Sequence, residues 1–228
     1  VIDVGQIARG TLRTDPYRWA AVDRLFAPAD AAALVTAFPR DHYKLVAGPD
    51  GEKDYHYEAR ALVPMGSDAV AHADDLREPW QRLAADFLST AYRTALSSLT
   101  GCDLLTAWLE VNVFHYGPSA VLGPHADLPE KIVTHVLYFN TSWDDAAGGC
   151  LNILRAKDAA AVAATISPIV GNSAVIVRSD DSWHAVSRVV DDCRESRRSL
   201  TATFYRPGSV STMWPPGDAT PLRDSVSP

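Results

Sequence analysis

The 228 residues include 28 acidic and 21 basic side chains, a formal charge of −7, and 47% of them are hydrophobic. That balance suits a chain with a buried core and excludes a largely disordered one. Basic residues are scattered apart from Arg194, Arg197 and Arg198, which excludes an extended nucleic-acid surface, since neutralising phosphates needs clustered Lys and Arg. No apolar run has the length of a membrane span and no basic-then-apolar leader opens the chain, so a soluble, cytoplasmic protein without a membrane partner is expected. Cys102, Cys150 and Cys193 are odd in number and far apart, giving neither a disulfide framework nor a zinc-ribbon spacing.

Pro28 and the alanines after it predict a short helix over 28–38, stopped at Pro39. The runs 43–47 and 55–63 are candidate strands. Trp80, Leu83, Phe87, Leu88, Ala91, Ala95 and Leu99 form one stripe of 3.6-residue period, which predicts a helix over 79–99 ending before Gly101. From residue 104 the pattern changes to short β-branched and aromatic runs at 104–116, 131–139, 149–155, 173–178, 184–190 and 198–206, with one alanine-rich helix at 157–164. Parallel strands need a helix in every connection, so this spacing predicts an antiparallel sandwich or barrel. The tail from Met213 on, rich in proline, is expected to be irregular. One domain is expected: helix-rich support over 1–103, a barrel over 104–206 and an irregular tail over 207–228.

Within that frame the stretch "LGPHADLPEK" raises a question of chemistry. Taken alone, His125-Ala126-Asp127 is as well explained by a strand-end histidine beside a turn aspartate, with Pro124 and Pro129 as the stiff ends of the turn. His184 follows 59 positions later, at the start of another predicted strand. Two imidazoles and one carboxylate form the facial triad that binds non-haem Fe(II) and leaves coordination positions open. Arg197 and Ser199 lie on one face of the last strand, because alternate residues share a face, and an Arg fork with a hydroxyl suits a buried carboxylate. Arg198 points to the opposite side. His115 and His135 fall within strands, where a hydrogen-bonded structural role is expected, and His42, His56 and His72 lie in the amino-terminal third.

"HAD", "WHAVSRV" and "RRSLTATFY", with "VFHYGPSAVLGPHAD" and "HVLYFNTSWDDAAGGCLNIL", resemble the Fe(II)- and 2-oxoglutarate-dependent oxygenases, in their prolyl 4-hydroxylase-like branch, over residues 108–206. The resemblance implies a mainly β fold, a double-stranded β-helix or jelly-roll barrel supported by amino-terminal helices. It implies His125, Asp127 and His184 as iron ligands and Arg197, assisted by Ser199, as partner of the distal carboxylate of 2-oxoglutarate. Tyr138 and Tyr116 match co-substrate positions, Asn112 a pocket position, and Gly148 and Gly149 the family's paired glycines. The link "VVDDCRESRR" is longer than usual in the family, so Arg194 and Arg198 stand as alternatives to Arg197. His56, Arg60, Arg188 and Trp214 are candidate substrate contacts.

The implied reaction consumes dioxygen, converts 2-oxoglutarate to succinate and carbon dioxide, and hydroxylates an unactivated carbon. An intact Asp127 favours hydroxylation over halogenation. A small polar metabolite, an amino acid or an antibiotic precursor, is the expected substrate. A peptidyl prolyl hydroxylase and a non-catalytic ligand-binding barrel are the alternatives.

Overall fold

A computed structural model describes residues 1–49 and 54–225; the last three residues of the expected tail lie outside them. In chain order the elements are α1 (Val4–Arg9), β1 (Trp19–Val22), α2 (Pro28–Thr36), β2 (Lys44–Pro49), β3 (Asp54–Val63), α3 (Glu78–Leu88), α4 (Thr90–Thr100) and β4 (Trp108–Tyr116). There follow β5 (Val121–His125), β6 (Lys131–Tyr138), β7 (Leu151–Leu154), β8 (Val162–Ile166), β9 (Ser173–Val177), β10 (His184–Val186) and β11 (Arg197–Tyr205). The strands pair antiparallel in the order β1-β9-β6-β11-β4-β3-β5-β10-β7-β8, with β2 added beside β3. This is the expected mainly β jelly-roll barrel with helices on one side.

Alternation along the central strands decides what faces where. On β11, Leu200, Ala202 and Phe204 join Val111 and Val113 of β4 in the core that Trp80, Leu83, Phe87 and Leu96 of the helices complete. The intervening Arg197, Ser199, Thr201, Thr203 and Tyr205 line a cavity inside the barrel. One face of β11 is thus apolar because it buries against helices, and the other polar because it meets a ligand-sized space. Trp80 locks the helical layer together: its indole N–H donates to the carbonyl of Leu34 at 3.0 Å and its ring packs on Phe139 at 4.9 Å.

Several expected elements differ. The helix over 79–99 is two helices, because Ser89 adopts an extended conformation between α3 and α4 and its hydroxyl accepts from the backbone N–H of Tyr92. A serine that caps a new helix competes with continuing the old one. The alanine-rich helix over 157–164 is absent: the chain turns at 156–161 and leaves as β8, which pairs with β7 (Leu151 opposite Ile166). Tertiary pairing outweighs alanine's helix propensity there. The strand expected over 184–190 stops at Val186. Short α1 and β1 were not expected, nor was β5, whose Gly123 and Pro124 read as turn. A register shift opposite His184 and Val186 absorbs this extra length in β5, and Pro124, which has no N–H to donate, lies in a strand and does not close a turn. Among the described residues no helix is long and apolar enough to cross a membrane.

Candidate active site

The cavity inside the barrel has a volume of about 560 Å³ and is lined from β2, β3, β4, β5, β6, β7, β10 and β11. His125 at the end of β5 and His184 at the start of β10 are direct register partners, which sets their rings side by side with centroids 4.3 Å apart. Each ring is oriented by its own strand: His125 Nδ1 meets the carbonyl of Gly123, and His184 Nδ1 that of Ser182, both at 2.9 Å. A ring nitrogen that donates to a carbonyl carries the proton, so the lone pair of each imidazole resides on Nε2. Asp127 follows β5 by two residues and is 5% exposed. One donor atom from each of His125, Asp127 and His184 lies within 4.8 Å of the others.

Two neighbours hold the Asp127 carboxylate. Lys131 Nζ donates to Oδ1 at 2.6 Å and the Thr134 hydroxyl to Oδ2 at 2.8 Å. Burial opposes ionisation of this group, but Lys131, with His184 and His125, outweighs burial and keeps the carboxyl well below the usual carboxylate range. Two imidazoles, which give up any second proton on coordination, beside one ionised carboxylate are a donor set that fits Fe(II).

At the other end of β11 the Arg197 guanidinium is 2% exposed. It donates from one terminal nitrogen to Ser199 Oγ at 2.6 Å and lies over the rings of Tyr116 and Tyr138, at 4.6 and 5.3 Å. Its Nε and the buried Tyr138 hydroxyl have no hydrogen-bond partner among the described residues. Burial pushes the Tyr116 phenol up to about 12, with Arg197 opposing, and raises Tyr138 as well, so both present neutral hydroxyls. Unpartnered buried donors cost free energy unless a ligand meets them, and a carboxylate would meet all of these. Gly149, at φ +69°, lies against the Arg197 stem, and a Cβ there would stand 3.4 Å from Arg197 Cδ. Arg198 faces the helices, over Phe38 at 5.5 Å, and Arg194 is exposed in the preceding loop.

Asn112 and Tyr116 line the cavity from β4. Asn112 accepts the indole N–H of Trp214 at 2.8 Å, so Trp214 stands behind Asn112 and the Lys44 side chain, 4.2 Å from its ring, covers it. Three expected substrate contacts are corrected. His56 is exposed, because its neighbours Tyr55 and Tyr57 take the cavity face of β3. Arg60 shares the parity of His56 and is fully buried outside the barrel, with Nε 3.3 Å from Asp41 Oδ1. Arg188 is exposed and pairs with Asp191 at 3.6 Å.

Reading the sequence missed Lys131, Thr134, Glu110, Lys44 and Tyr57. The period-2 alternation of "KIVTHVLY" carries a usable signal, since a Tyr138 beside Arg197 places Thr134 and Val136 on the same strand face. A second cluster, His42, His72 and Asp75, also gathers donor atoms within 4.8 Å. Its two imidazoles stack 3.8 Å apart and within 7° of parallel, so their in-plane lone pairs run side by side and do not converge.

Residues 111–205 match the family model described as the 2OG-Fe(II) oxygenase superfamily. The barrel is a 2OG-Fe(II) oxygenase domain. That domain supports an Fe(II)- and 2-oxoglutarate-dependent dioxygenase activity, with dioxygen as the other co-substrate. No curated protein matches the sequence. Among solved structures, a prolyl-4-hydroxylase from Pseudomonas putida is similar with TM-score 0.56 and 23% identity, over 90% of this chain and 97% of that one. A Trichoplax adhaerens prolyl hydroxylase, solved with a hypoxia inducible factor peptide fragment, has TM-score 0.61 and 12% identity over 89% and 88%. The 2-oxoglutarate-family epimerase SnoN of nogalamycin biosynthesis has TM-score 0.51 and 14% identity over 98% and 92%. At these identities the likeness concerns the fold.

Proposed function

We propose that this oxygenase hydroxylates an unactivated carbon of a small polar metabolite, an amino acid or a natural-product intermediate. In this reading His125, Asp127 and His184 hold Fe(II), and Arg197 with Ser199 holds the distal carboxylate of 2-oxoglutarate. The observation that carries it is the shared cavity: the three-donor cluster and Arg197, whose Nε is unpartnered among the described residues, line one space. Bound iron supplies the oxidation of 2-oxoglutarate to succinate and carbon dioxide and the delivery of oxygen to the substrate.

The protein's own part is orientation. Lys131 and Thr134 fix the Asp127 carboxylate, the carbonyls of Gly123 and Ser182 fix the imidazole tautomers, and Tyr116 and Tyr138 wall the Arg197 guanidinium. The apolar lining from Phe114, Val136, Leu151 and Val186 keeps competing polar groups away. We read the helices and the barrel as one functional unit, since the outer face of the site-bearing strands is buried by α3 and α4.

A small substrate is favoured over a peptide by the tail. Ser211 donates to Glu110, Trp214 to Asn112, and Lys44 to Asp218 and the carbonyl of Met213. These bonds tie residues 211–218 to cavity-lining residues of β2 and β4, and Thr212 and Met213 line the cavity themselves, where a peptide would need an open groove. A fold shared with an enzyme of nogalamycin biosynthesis is in keeping with that substrate class. Anaerobic addition of Fe(II) and 2-oxoglutarate is expected to give a weak metal-to-ligand charge-transfer band, and well-folded protein without it would sink the ligand assignment. Succinate release screened against amino acids, natural-product precursors and proline peptides tests the substrate class, with peptide-dependent release the contrary result.

A further inference from the structure

Charge bookkeeping inside the cavity leaves one group over. Two acidic side chains line it, Asp127 and Glu110, and three cationic ones, Lys44, Lys131 and Arg197. Lys131 is taken by Asp127, Lys44 by Asp218 and the Met213 carbonyl, and Arg197 lies at the far end. Glu110 is 2% exposed. Its carboxylate accepts only neutral donors among the described residues, the Tyr205 hydroxyl at 3.3 Å and the Ser211 hydroxyl, and no ion pair reaches it there. A buried carboxylate without a counter-charge is unfavourable, and a cation delivered by a ligand relieves it.

Register fixes where that ligand would lie. Glu110, Thr203 and Thr134 are partners on one rung across β4, β11 and β6. Two strand spacings, about 10 Å, therefore separate Glu110 from Thr134, whose hydroxyl holds Asp127. Arg197 is six residues from Thr203 along β11, about 20 Å away. Glu110 thus stands at the end of the cavity opposite the Arg197 pocket and within a small molecule's length of the three-donor cluster. A proline within a peptide has an amide nitrogen without positive charge and could not complete this site.

We propose that Glu110 receives a protonated amine of the substrate, so that the substrate class is an amine-bearing small molecule. The inference rests on the oxygenase reading of the cavity and adds the group that orients the substrate in it. Tyr205 and Ser211 hold the carboxylate in place, and Asn112 offers a neutral polar contact one rung nearer Arg197.

The test uses the full chain loaded anaerobically with Fe(II) and 2-oxoglutarate, and two probe pairs of matched shape: benzylamine against benzyl alcohol, and n-butylamine against n-butanol. Calorimetric titration is expected to show at least one amine bound about 10- to 100-fold more tightly than its alcohol, the range of a charge-assisted hydrogen bond. Glu110→Gln is expected to abolish that preference, and Glu110→Asp, which keeps the charge, to retain part of it. Equal affinity for amine and alcohol in the unaltered protein overturns the proposal, as does a preference that survives Glu110→Gln. If Glu110→Gln does not fold, Glu110→Asp decides in its place: a reduced preference supports the proposal and an unchanged one overturns it. The charge-transfer band, recorded in the same samples, reports separately on the iron and 2-oxoglutarate reading.

Discussion

At the scale of single residues, adjacent arginines on β11 separate two roles. Arg197 faces the cavity and Arg198 the helices, so Arg197→Ala is expected to cost 2-oxoglutarate binding about 2–5 kcal/mol, at least a 30-fold higher requirement, while Arg198→Ala leaves it near the unaltered value. Measuring succinate release against 2-oxoglutarate concentration checks this, and the reverse pattern would reassign the pocket. Thr134 makes a subtler prediction. Its hydroxyl orients Asp127 without touching the proposed metal position, and loss of such a support weakens metal binding about 10- to 100-fold. Thr134→Val is therefore expected to weaken Fe(II) in competition with a chelator and to preserve thermal stability; an unchanged Fe(II) affinity would show that Lys131 alone suffices. The His-x-Asp pair, the later His184 and the Arg-x-Ser spacing were legible because chemistry confines them to few residue types. Lys131, Thr134 and Glu110 were not, since a lysine, a threonine and a glutamate acquire meaning only through the strand that turns them inward.

At the scale of elements, the cavity depends on where short strands start. Gly148 has φ +74° and ψ −151°, a region essentially closed to L side chains, and a Cβ on it would lie 1.9 Å from the carbonyl oxygen of Arg188. The contact is backbone to backbone, so no rotamer change relieves it. Gly148 leads into β7, β7 pairs with β10, and β10 carries His184. Gly148→Ala is expected to lower stability by about 3 kcal/mol or more and to weaken Fe(II) binding with it, read by denaturant titration and chelator competition; a variant as stable as the parent would mean that the turn has another course. Elements with strong periodicity, such as β4 and β11, were legible in the sequence to within a few residues. The misses have local causes: Ser89 can cap a helix as well as continue one, the alanines of 159–164 have no signal for the pairing that overrides them, and Gly123-Pro124 conceals β5 behind turn residues.

At the scale of the whole molecule, the helical layer and the barrel are joined across the outer face of β6, and His135 lies in that seam. It is fully buried, its Nδ1 is 2.8 Å from the Tyr92 hydroxyl of α4, and its Nε2 has no partner among the described residues. Burial pushes its pKa from an ordinary 6.5 down to about 3, so the folded protein keeps the ring neutral where the unfolded chain takes up a proton. The sign follows from linkage: the state that binds more protons gains as pH falls, and here it is the unfolded one. The contribution of His135 is complete above pH 6.5, is lost progressively as pH falls from there towards 3, and changes no further below that. Its slope approaches about 1.4 kcal/mol per pH unit. Denaturant titrations of the metal-free protein at pH 7.5, 6.5 and 5.5 are expected to show this loss, and His135→Leu to reduce it. Loss of the hydrogen bond to the Tyr92 hydroxyl adds a pH-independent offset, which does not alter a slope. The two proteins share every other titrating group, so the quantity that decides is the difference between the two slopes. Parallel slopes would show that the seam opens to water and that the helices are less firmly joined to the barrel than the packing of Trp80, Phe87 and Tyr92 requires.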